Sequence, residues 1–196
     1  MSYRFGIGAV IVAAVLPLVA CGGSEEPYVE VVGARWATAE AESVPALIAS
    51  SDAVFVGRVT QELPQREETL PGPEGRPAAG RTFPISRYEA VVESSVAGGL
   101  ADGSTVVIEQ AGGEDPGDGH VVMLEGDDLI EAGKTYVFFA SQKDNGTWTA
   151  APYGRLEVRG DGSLRAAAMW RSLPASAALE ASGARAVDVI RSAVSE

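Results

Sequence analysis

The sequence predicts a mainly β domain flanked by helices. Short stretches in which apolar and polar residues alternate recur along most of the chain, and turn residues such as Asn145-Gly146 separate them. After Pro174 the spacing of apolar residues becomes helical. Neither an internal repeat nor a second domain boundary interrupts this pattern, so we predict a single domain over residues 39–196.

The first 20 residues have the features of an export leader. Arg4 provides a positive charge, and residues 7–19 are uncharged and strongly apolar. This stretch has the length of a signal-peptide core, roughly 7–15 residues, whereas a membrane-spanning helix needs about 20. Pro17 further disfavours a continuous spanning helix, because proline lacks an amide donor.

Leu18-Val19-Ala20-Cys21 ends this leader and resembles the lipobox of bacterial lipoproteins. The resemblance implies that a diacylglyceryl group, carrying acyl chains such as palmitate, is attached to the Cys21 thiol before cleavage ahead of it. Two or more acyl chains anchor a protein stably, so we expect it on the extracytoplasmic face of the bacterial cell membrane, attached without spanning. An incidental cysteine in an ordinary signal peptide and an uncleaved N-terminal anchor are the alternatives.

The composition argues against a nucleic-acid partner and excludes stabilisation by an internal disulfide. The formal net charge is −12, and it becomes −13 without the leader, whose only charge is Arg4. An acidic domain is repelled by phosphates, so we expect no nucleic-acid partner. Cys21 is the only cysteine, so no internal disulfide can form and packing alone must hold the fold.

A flexible tether is predicted over residues 21–38, which begin with small, polar and proline residues. Residues 28–32 could belong to this tether or add a short strand. A short helix is expected next, because Ser43 suits an N-cap and Pro45 suits a first helical turn.

Two strands and a loop follow this helix in the prediction. The first strand covers residues 53–60, where Gly57 indicates a bulge or a tight bend. Residues 64–81 are rich in proline and glutamate, so we predict a long mobile loop, solvated rather than a binding lid. Residues 85–96 alternate as a half-buried antiparallel strand does.

The remaining strands are predicted from alternation and turn residues. They are expected at residues 104–110, 121–124, 134–141, 147–151, 155–159 and 163–166. Residues 111–119 are a predicted acidic, glycine-rich loop, and Asn145-Gly146 predicts a type I′ hairpin turn.

A C-terminal amphipathic helix is predicted over residues 175–194. Its apolar stripe includes Leu179, Ile190 and Val194. Gly183 weakens this helix and is expected to allow close packing.

Three stretches, at residues 51–59, 85–96 and 131–139, resemble a group of exported bacterial proteins. These have a small antiparallel barrel of the oligonucleotide/oligosaccharide-binding (OB) type, similar to the netrin and tissue-metalloproteinase-inhibitor domain. The resemblance covers residues 43–166 and implies an OB-like barrel here. Those inhibitors use an amino-terminal cysteine and disulfides, which this chain lacks, so no functional residue is transferred.

His120 is the single histidine and lies beside Asp115 and Asp118, which suggests a metal ligand or a general base. A catalytic zinc site needs several nitrogen or sulfur ligands, and this chain cannot supply them. No Gly-x-Ser-x-Gly or Ser-x-x-Lys motif provides a nucleophile. We therefore interpret His120 as a solvent-facing loop residue.

Acidic loop residues could supply oxygen ligands to calcium, although the spacing of an EF-hand is missing. These residues are Glu114, Asp115, Asp118, Asp127 and Asp128. Unpaired carboxylates on glycine-rich loops are usually solvated, and this is how we interpret them. Three tryptophans could stack on sugars, but we expect one or two in the core or at an interface: Trp36, Trp148 and Trp170.

These observations favour a lipid-anchored, extracytoplasmic binding module without catalysis, whose partner is an unknown protein or cell-envelope ligand. Cys21 is the one predicted site residue; no catalytic, cofactor-binding or metal-binding residue is assigned. A cell-envelope hydrolase that uses loop carboxylates is the alternative, and a protease-inhibitor-like module is a further one.

Overall fold

The computed structural model describes residues 29–32, 39–71, 77–115, 117 and 119–195 of the 196-residue chain. The predicted lipobox with its Cys21 lies outside the described residues, and so do Trp36 and Asp118. Within the described part, no helix has the length and apolar character needed to cross a membrane.

One sheet of nine strands forms most of the described chain. The strands are β1 (Val29–Val32), β2 (Ala53–Pro71), β3 (Pro77–Ala97), β4 (Thr105–Glu114), β5 (Val121–Leu124), β6 (Thr135–Gln142), β7 (Trp148–Thr149), β8 (Arg155–Val158) and β9 (Leu164–Arg165). Their spatial order is β1-β5-β4-β3-β2-β6-β8-β9, and the pairs are antiparallel except β1 with β5 and β4 with β7. The prediction of a mainly β, mostly antiparallel domain with a few helices is confirmed.

Strand β7 lies off this linear order and pairs with two strands. Trp148 is the register partner of Ile108 in β4 and of Gln142 in β6. Paired neighbours therefore lead from β4 through β3, β2, β6 and β7 back to β4.

The predicted N-terminal helix is α1 (Val44–Ala49). Ser43 Oγ accepts a hydrogen bond from the Ala46 amide at 3.2 Å, so it satisfies one of the amides that have no partner within the helix. The N-cap prediction is confirmed.

The C-terminal segment forms two helices rather than the single one expected, α2 (Pro174–Ala181) and α3 (Ala186–Val194). Between them Gly183 has a φ of +57°, a left-handed conformation that ends an α-helix. A Cβ on Gly183 would meet nothing within 4 Å, so this glycine turns the chain and does not permit close packing. Val194 is 39% exposed, so the buried stripe ends at Ile190.

Two apolar clusters stabilise the domain: one contains residues of the helices, and the other consists mostly of strand residues. The first joins Leu47, Leu179 and Ile190 to the sheet, and the second contains Phe55 and Phe138. The rings of Phe55 and Phe138 lie 5.2 Å apart between centroids.

Gly57 lies at a shift in the β2–β3 register, which confirms the predicted bulge. A Cβ there would lie 3.0 Å from Phe55 Cε2 and 3.3 Å from Phe138 Cε2. The missing side chain therefore makes room for the two rings.

The prediction of a long loop over residues 64–81 is wrong, because β2 continues to Pro71 and β3 starts at Pro77. Backbone pairing between two strands of one hairpin does not require apolar side chains. Pro64 lies within a register shift between Leu63 and Arg66. The strand pairing is already irregular there, so the amide that proline lacks does not remove a regular backbone hydrogen bond between the strands.

The predicted loop over residues 111–119 is also shorter, since β4 extends to Glu114. Gly112 and Gly113 allow this, because a Cβ at Gly112 would lie 2.9 Å from the Val122 carbonyl oxygen and one at Gly113 2.5 Å from Ser86 Oγ. Glycine lets the neighbouring strands approach here.

The β6–β7 hairpin is confirmed, but its turn is not the predicted type I′. Lys143 N donates to Thr147 O at 2.8 Å and Gly146 N donates to Lys143 O at 2.9 Å, which encloses a three-residue loop. Asn145 Oδ1 accepts from Thr147 N at 3.0 Å and so stabilises the longer loop. The turn at residues 160–162 has equivalent bonds.

Candidate functional site

A pocket of about 280 Å³ opens beside strands β6, β8 and β9. The segment after β5 closes one side of it and the segment after β9 closes another. Its lining includes four cationic side chains, Lys134, Arg155, Arg165 and Arg171. It also includes three carboxylates, Asp128, Glu131 and Glu157. We call this site the charged pocket.

A buried ion pair forms one wall of the charged pocket. Arg155 Nη2 donates to Asp127 Oδ1 at 2.7 Å and also to the Asp128 carbonyl oxygen. Gln110 Nε2 donates to Asp127 Oδ1 at 2.9 Å, and Gln110 Oε1 accepts from Ile130 N at 2.9 Å. These bonds attach the segment after β5 to β4 and β8.

Burial raises the pKa of Asp127, while the Arg155 guanidinium opposes this shift by stabilising the charged carboxylate. Both side chains are almost completely buried. A buried carboxylate held by an arginine and an amide has little freedom to approach a ligand. Asp127 therefore holds Arg155 in position, and Arg155 is the member of this ion pair that lines the pocket.

The rim of the charged pocket consists of more exposed ion pairs. Lys134 Nζ lies 2.6 Å from Glu131 Oε1 and 3.8 Å from Glu157 Oε1. Arg165 Nη2 pairs with Glu157, which lies opposite it in the β8–β9 ladder. The hydrogen bond to Glu131 raises the pKa of Lys134, so this amine stays protonated at neutral pH.

Arg171 completes the rim from the segment after β9. Its Nε donates to the Ala166 carbonyl oxygen at 3.2 Å and lies 3.5 Å from Glu180 Oε1. Across the pocket, Tyr136 Oη accepts from Glu131 N at 3.2 Å. Charges of both signs thus line a small concave site, which suits recognition of a charged ligand.

A second charged cluster surrounds Glu109, whose side chain is only 2% exposed. Arg66 Nε lies 3.0 Å from Glu109 Oε1, and Arg66 Nη2 lies 2.8 Å from Oε2. Lys143 Nζ is 3.3 Å from Oε2, and Arg87 Nε is 3.6 Å from Oε1. The Arg66 and Lys143 bonds lower the pKa of Glu109 to about 2. This cluster joins β2, β3, β4 and the turn after β6.

The interpretation of His120 as a solvent-facing residue is wrong. Its side chain is 16% exposed, and Nε2 lies 3.0 Å from Glu30 Oε2 in the parallel edge strand β1. The sequence could not reveal this contact, because the two residues are far apart in the chain.

The calcium candidates that the structure describes are not gathered into one site. Asp127 is engaged by Arg155, and Asp128 lines the charged pocket. Asp115 Oδ1 accepts from Gly117 N at 2.7 Å within the turn before β5. Among the described residues no group of three or more histidine, cysteine, aspartate or glutamate side chains could hold a metal.

Trp148 and Trp170 are buried, as expected for core residues. Trp148 packs edge-on against Phe55, and Trp170 against Tyr153. Burial makes both rings poor platforms for a sugar.

The sequence did not reveal the charged pocket, because its residues come from three strands and two connecting segments. A scan against models of protein families finds no match, and a search of curated proteins finds no significant relative. Function must therefore be inferred from the residues of this chain.

Proposed function

We propose that this protein is a lipid-anchored binding module on the extracytoplasmic face of a bacterial cell membrane, with the charged pocket as its ligand site. The lipobox at residues 18–21 supports the anchoring and the location. The observation that carries the binding role is the mixed-sign lining of a concave site, with the buried Arg155 in its wall.

We also propose that the body of the module is a small barrel of the OB type. The pairing of β7 with both β4 and β6 supports it, since it links five strands in a ring. Phe55, Phe138 and Trp148 belong to the apolar cluster associated with these strands. The charged pocket lies beside β6, β8 and β9, and of these only β6 belongs to the ring of five strands. The other four strands of the ring can therefore serve as a scaffold.

The tether length sets the distance of this module from its membrane. Strand β1 begins at Val29, eight residues after Cys21. A chain spans at most about 3.5 Å per residue, so this connection reaches about 30 Å or less. The β1–β5 edge would then stay near the lipid surface, within the cell envelope.

The buried carboxylates are held in ion pairs, which makes them poor candidates for the catalytic acid of a hydrolase. Among the described residues these are Glu109 and Asp127. A general acid needs a proton to donate near neutral pH, but Arg66 and Lys143 hold the pKa of Glu109 at about 2. Asp127 is occupied by Arg155 and Gln110.

Fractionation of cells tests the anchor. The protein should be recovered with membranes and incorporate labelled palmitate, whereas Cys21→Ala should abolish the labelling. Palmitate entering the Cys21→Ala variant would contradict the proposed anchor. Ser24→Ala is the matched control, because it leaves the thiol in place.

A capture experiment tests the binding role. The full chain is immobilised and exposed to solubilised cell envelopes, and bound molecules are identified by mass spectrometry. Ligand retained by the wild type and lost in an Arg165→Gln, Arg171→Gln double variant would support a pocket-dependent module. Turnover of the captured molecule would favour the hydrolase instead.

A further inference from the structure

The wall of the charged pocket contains an arginine whose donors are only partly used. The Arg155 side chain is 5% exposed, and its hydrogen bonds within the described residues all involve Nη2. A guanidinium has five N–H donors in a planar fork. The Nε and Nη1 donors of Arg155 thus have no hydrogen-bond partner among the described residues.

Two more guanidinium groups at the rim retain donors. Arg165 uses Nη2 for its pair with Glu157, and Arg171 uses Nε for the Ala166 carbonyl oxygen. Both side chains are about half exposed, at 41% and 48%. Carboxylates accept two parallel bonds from such forks, and arginine suits this recognition better than lysine.

The segment after β5 contributes groups of the opposite sign. Asp128 is exposed at the pocket, and its hydrogen bonds to Gln110 and Arg155 involve its backbone carbonyl oxygen. Glu131 accepts from Lys134 through Oε1, which leaves Oε2 as a further acceptor. An ammonium has three donors and no acceptor, so it fits these two carboxylates.

The balance of charge limits what the pocket can accept. Its four cations and three carboxylates give a lining close to neutral, within a chain of net charge −12. A polyphosphate would bring several negative charges next to the carboxylates, and like charges repel at short range. A ligand with one charge of each sign avoids this cost. The volume of about 280 Å³ restricts the ligand to a small molecule.

We propose that the charged pocket binds a small zwitterion, an amino acid or short peptide with free ends. The carboxylate is held by Arg155, Arg165 and Arg171, and the ammonium by Asp128 and Glu131. This inference rests on the proposed function, because it names the ligand class of the same site.

Isothermal titration calorimetry on the full chain at low salt tests the inference. The probe is the dipeptide alanyl-alanine, compared with N-acetyl-alanyl-alanine, alanyl-alanine amide and inorganic phosphate. The free dipeptide should bind saturably, and each blocked form should bind about tenfold more weakly, since each loses one charged contact. Phosphate should bind more weakly than the dipeptide.

Matched variants assign the two ends of the dipeptide. Arg165→Gln and Arg171→Gln should each weaken binding about tenfold, whereas Arg185→Gln, an exposed arginine away from the pocket, should not. Asp128→Asn should weaken the dipeptide but leave the N-acetylated form unchanged. Equal unfolding temperatures would show that the variants stay folded.

Three outcomes would overturn the zwitterion assignment: no saturable binding of the dipeptide, equal binding of the N-acetylated form, or full affinity in both arginine variants. Phosphate or the N-acetylated form could instead bind more tightly than the free dipeptide, with an affinity that Arg165→Gln reduces. That result would overturn the zwitterion assignment but would support a binding module. Capture from cell envelopes decides the proposed function independently.

Discussion

Arg66 binds Glu109 with two nitrogen atoms, Nε at 3.0 Å from Oε1 and Nη2 at 2.8 Å from Oε2. The two residues come from β2 and β4, which are separated by β3. The carboxylate is buried while the arginine is one-third exposed. This bidentate bond therefore fixes the distal half of the long hairpin against the neighbouring strand.

Removing this carboxylate should destabilise the domain. Glu109→Gln leaves Arg66, Lys143 and Arg87 around an uncharged amide, so we expect a loss of about 3 kcal/mol in the free energy of unfolding. Urea unfolding, monitored by circular dichroism, measures this loss of stability.

Glu93→Gln is the control for this variant, because Glu93 pairs with Arg58 on the exposed surface. Its cost should stay below about 1 kcal/mol. Equal losses in the two variants would mean that the Glu109 cluster contributes no more than a surface pair.

Acid should weaken the domain through the same residue. The pKa of Glu109 is about 2 in the folded protein, below the ordinary glutamate value of 4.5. The contribution of the ionised Glu109 to the free energy of unfolding is therefore complete above pH 4.5 and is lost as the pH falls towards 2. The full contribution is about 3 kcal/mol. Urea unfolding of wild type and Glu109→Gln at pH 6 and pH 2.5 should show a gap that narrows in acid. A gap independent of pH would contradict this assignment.

The buried pair at the charged pocket should be equally sensitive to truncation. Asp127→Ala leaves Arg155 buried without its carboxylate, which should cost about 3–5 kcal/mol of unfolding free energy. Asp128→Ala should cost less than about 1 kcal/mol, because the network uses the Asp128 backbone carbonyl. Thermal unfolding of the two variants compares them, and a larger loss for Asp128→Ala would refute this account of the wall.

The bulge glycine should not tolerate a methyl group. In Gly57→Ala the new Cβ would lie 3.0 Å from the Phe55 ring, so we expect overpacking to cost about 1–3 kcal/mol. Gly160→Ala is the control, since a Cβ there meets nothing within 4 Å. Chemical denaturation of both variants measures the difference, and equal stability would show that the rings readjust freely.

Local signals in the sequence were sufficient for several elements. Ser43 and Pro45 predicted the start of α1, and Gly57 predicted a bulge that the structure contains. Such features depend on bonds within one helical turn or on the backbone of one residue. The prediction failed over residues 64–71 and 77–81, where two polar strands pair with each other. Polar composition there resembled a loop because the pairing uses the backbone.

The sites depended much more on contacts between distant residues. Asp127 was predicted as a solvated loop carboxylate, yet Arg155 covers it from β8. His120 was expected in solvent, yet it contacts Glu30 in β1. No local pattern distinguishes a carboxylate that will meet an arginine from one that will meet water.

By itself the sequence determined the fold class, the position of the first helix and most strand positions, because periodicity and turn residues act over a few neighbouring residues. It also predicts an export leader and a lipidation site at Cys21, and both stay predictions. Only the tertiary structure decided that the C-terminal segment forms two helices. It also decided that the buried Glu109 contacts side chains from other segments, and that charged side chains from four segments line one pocket. The reason is physical: burial and electrostatic pairing are set by which distant strands become neighbours.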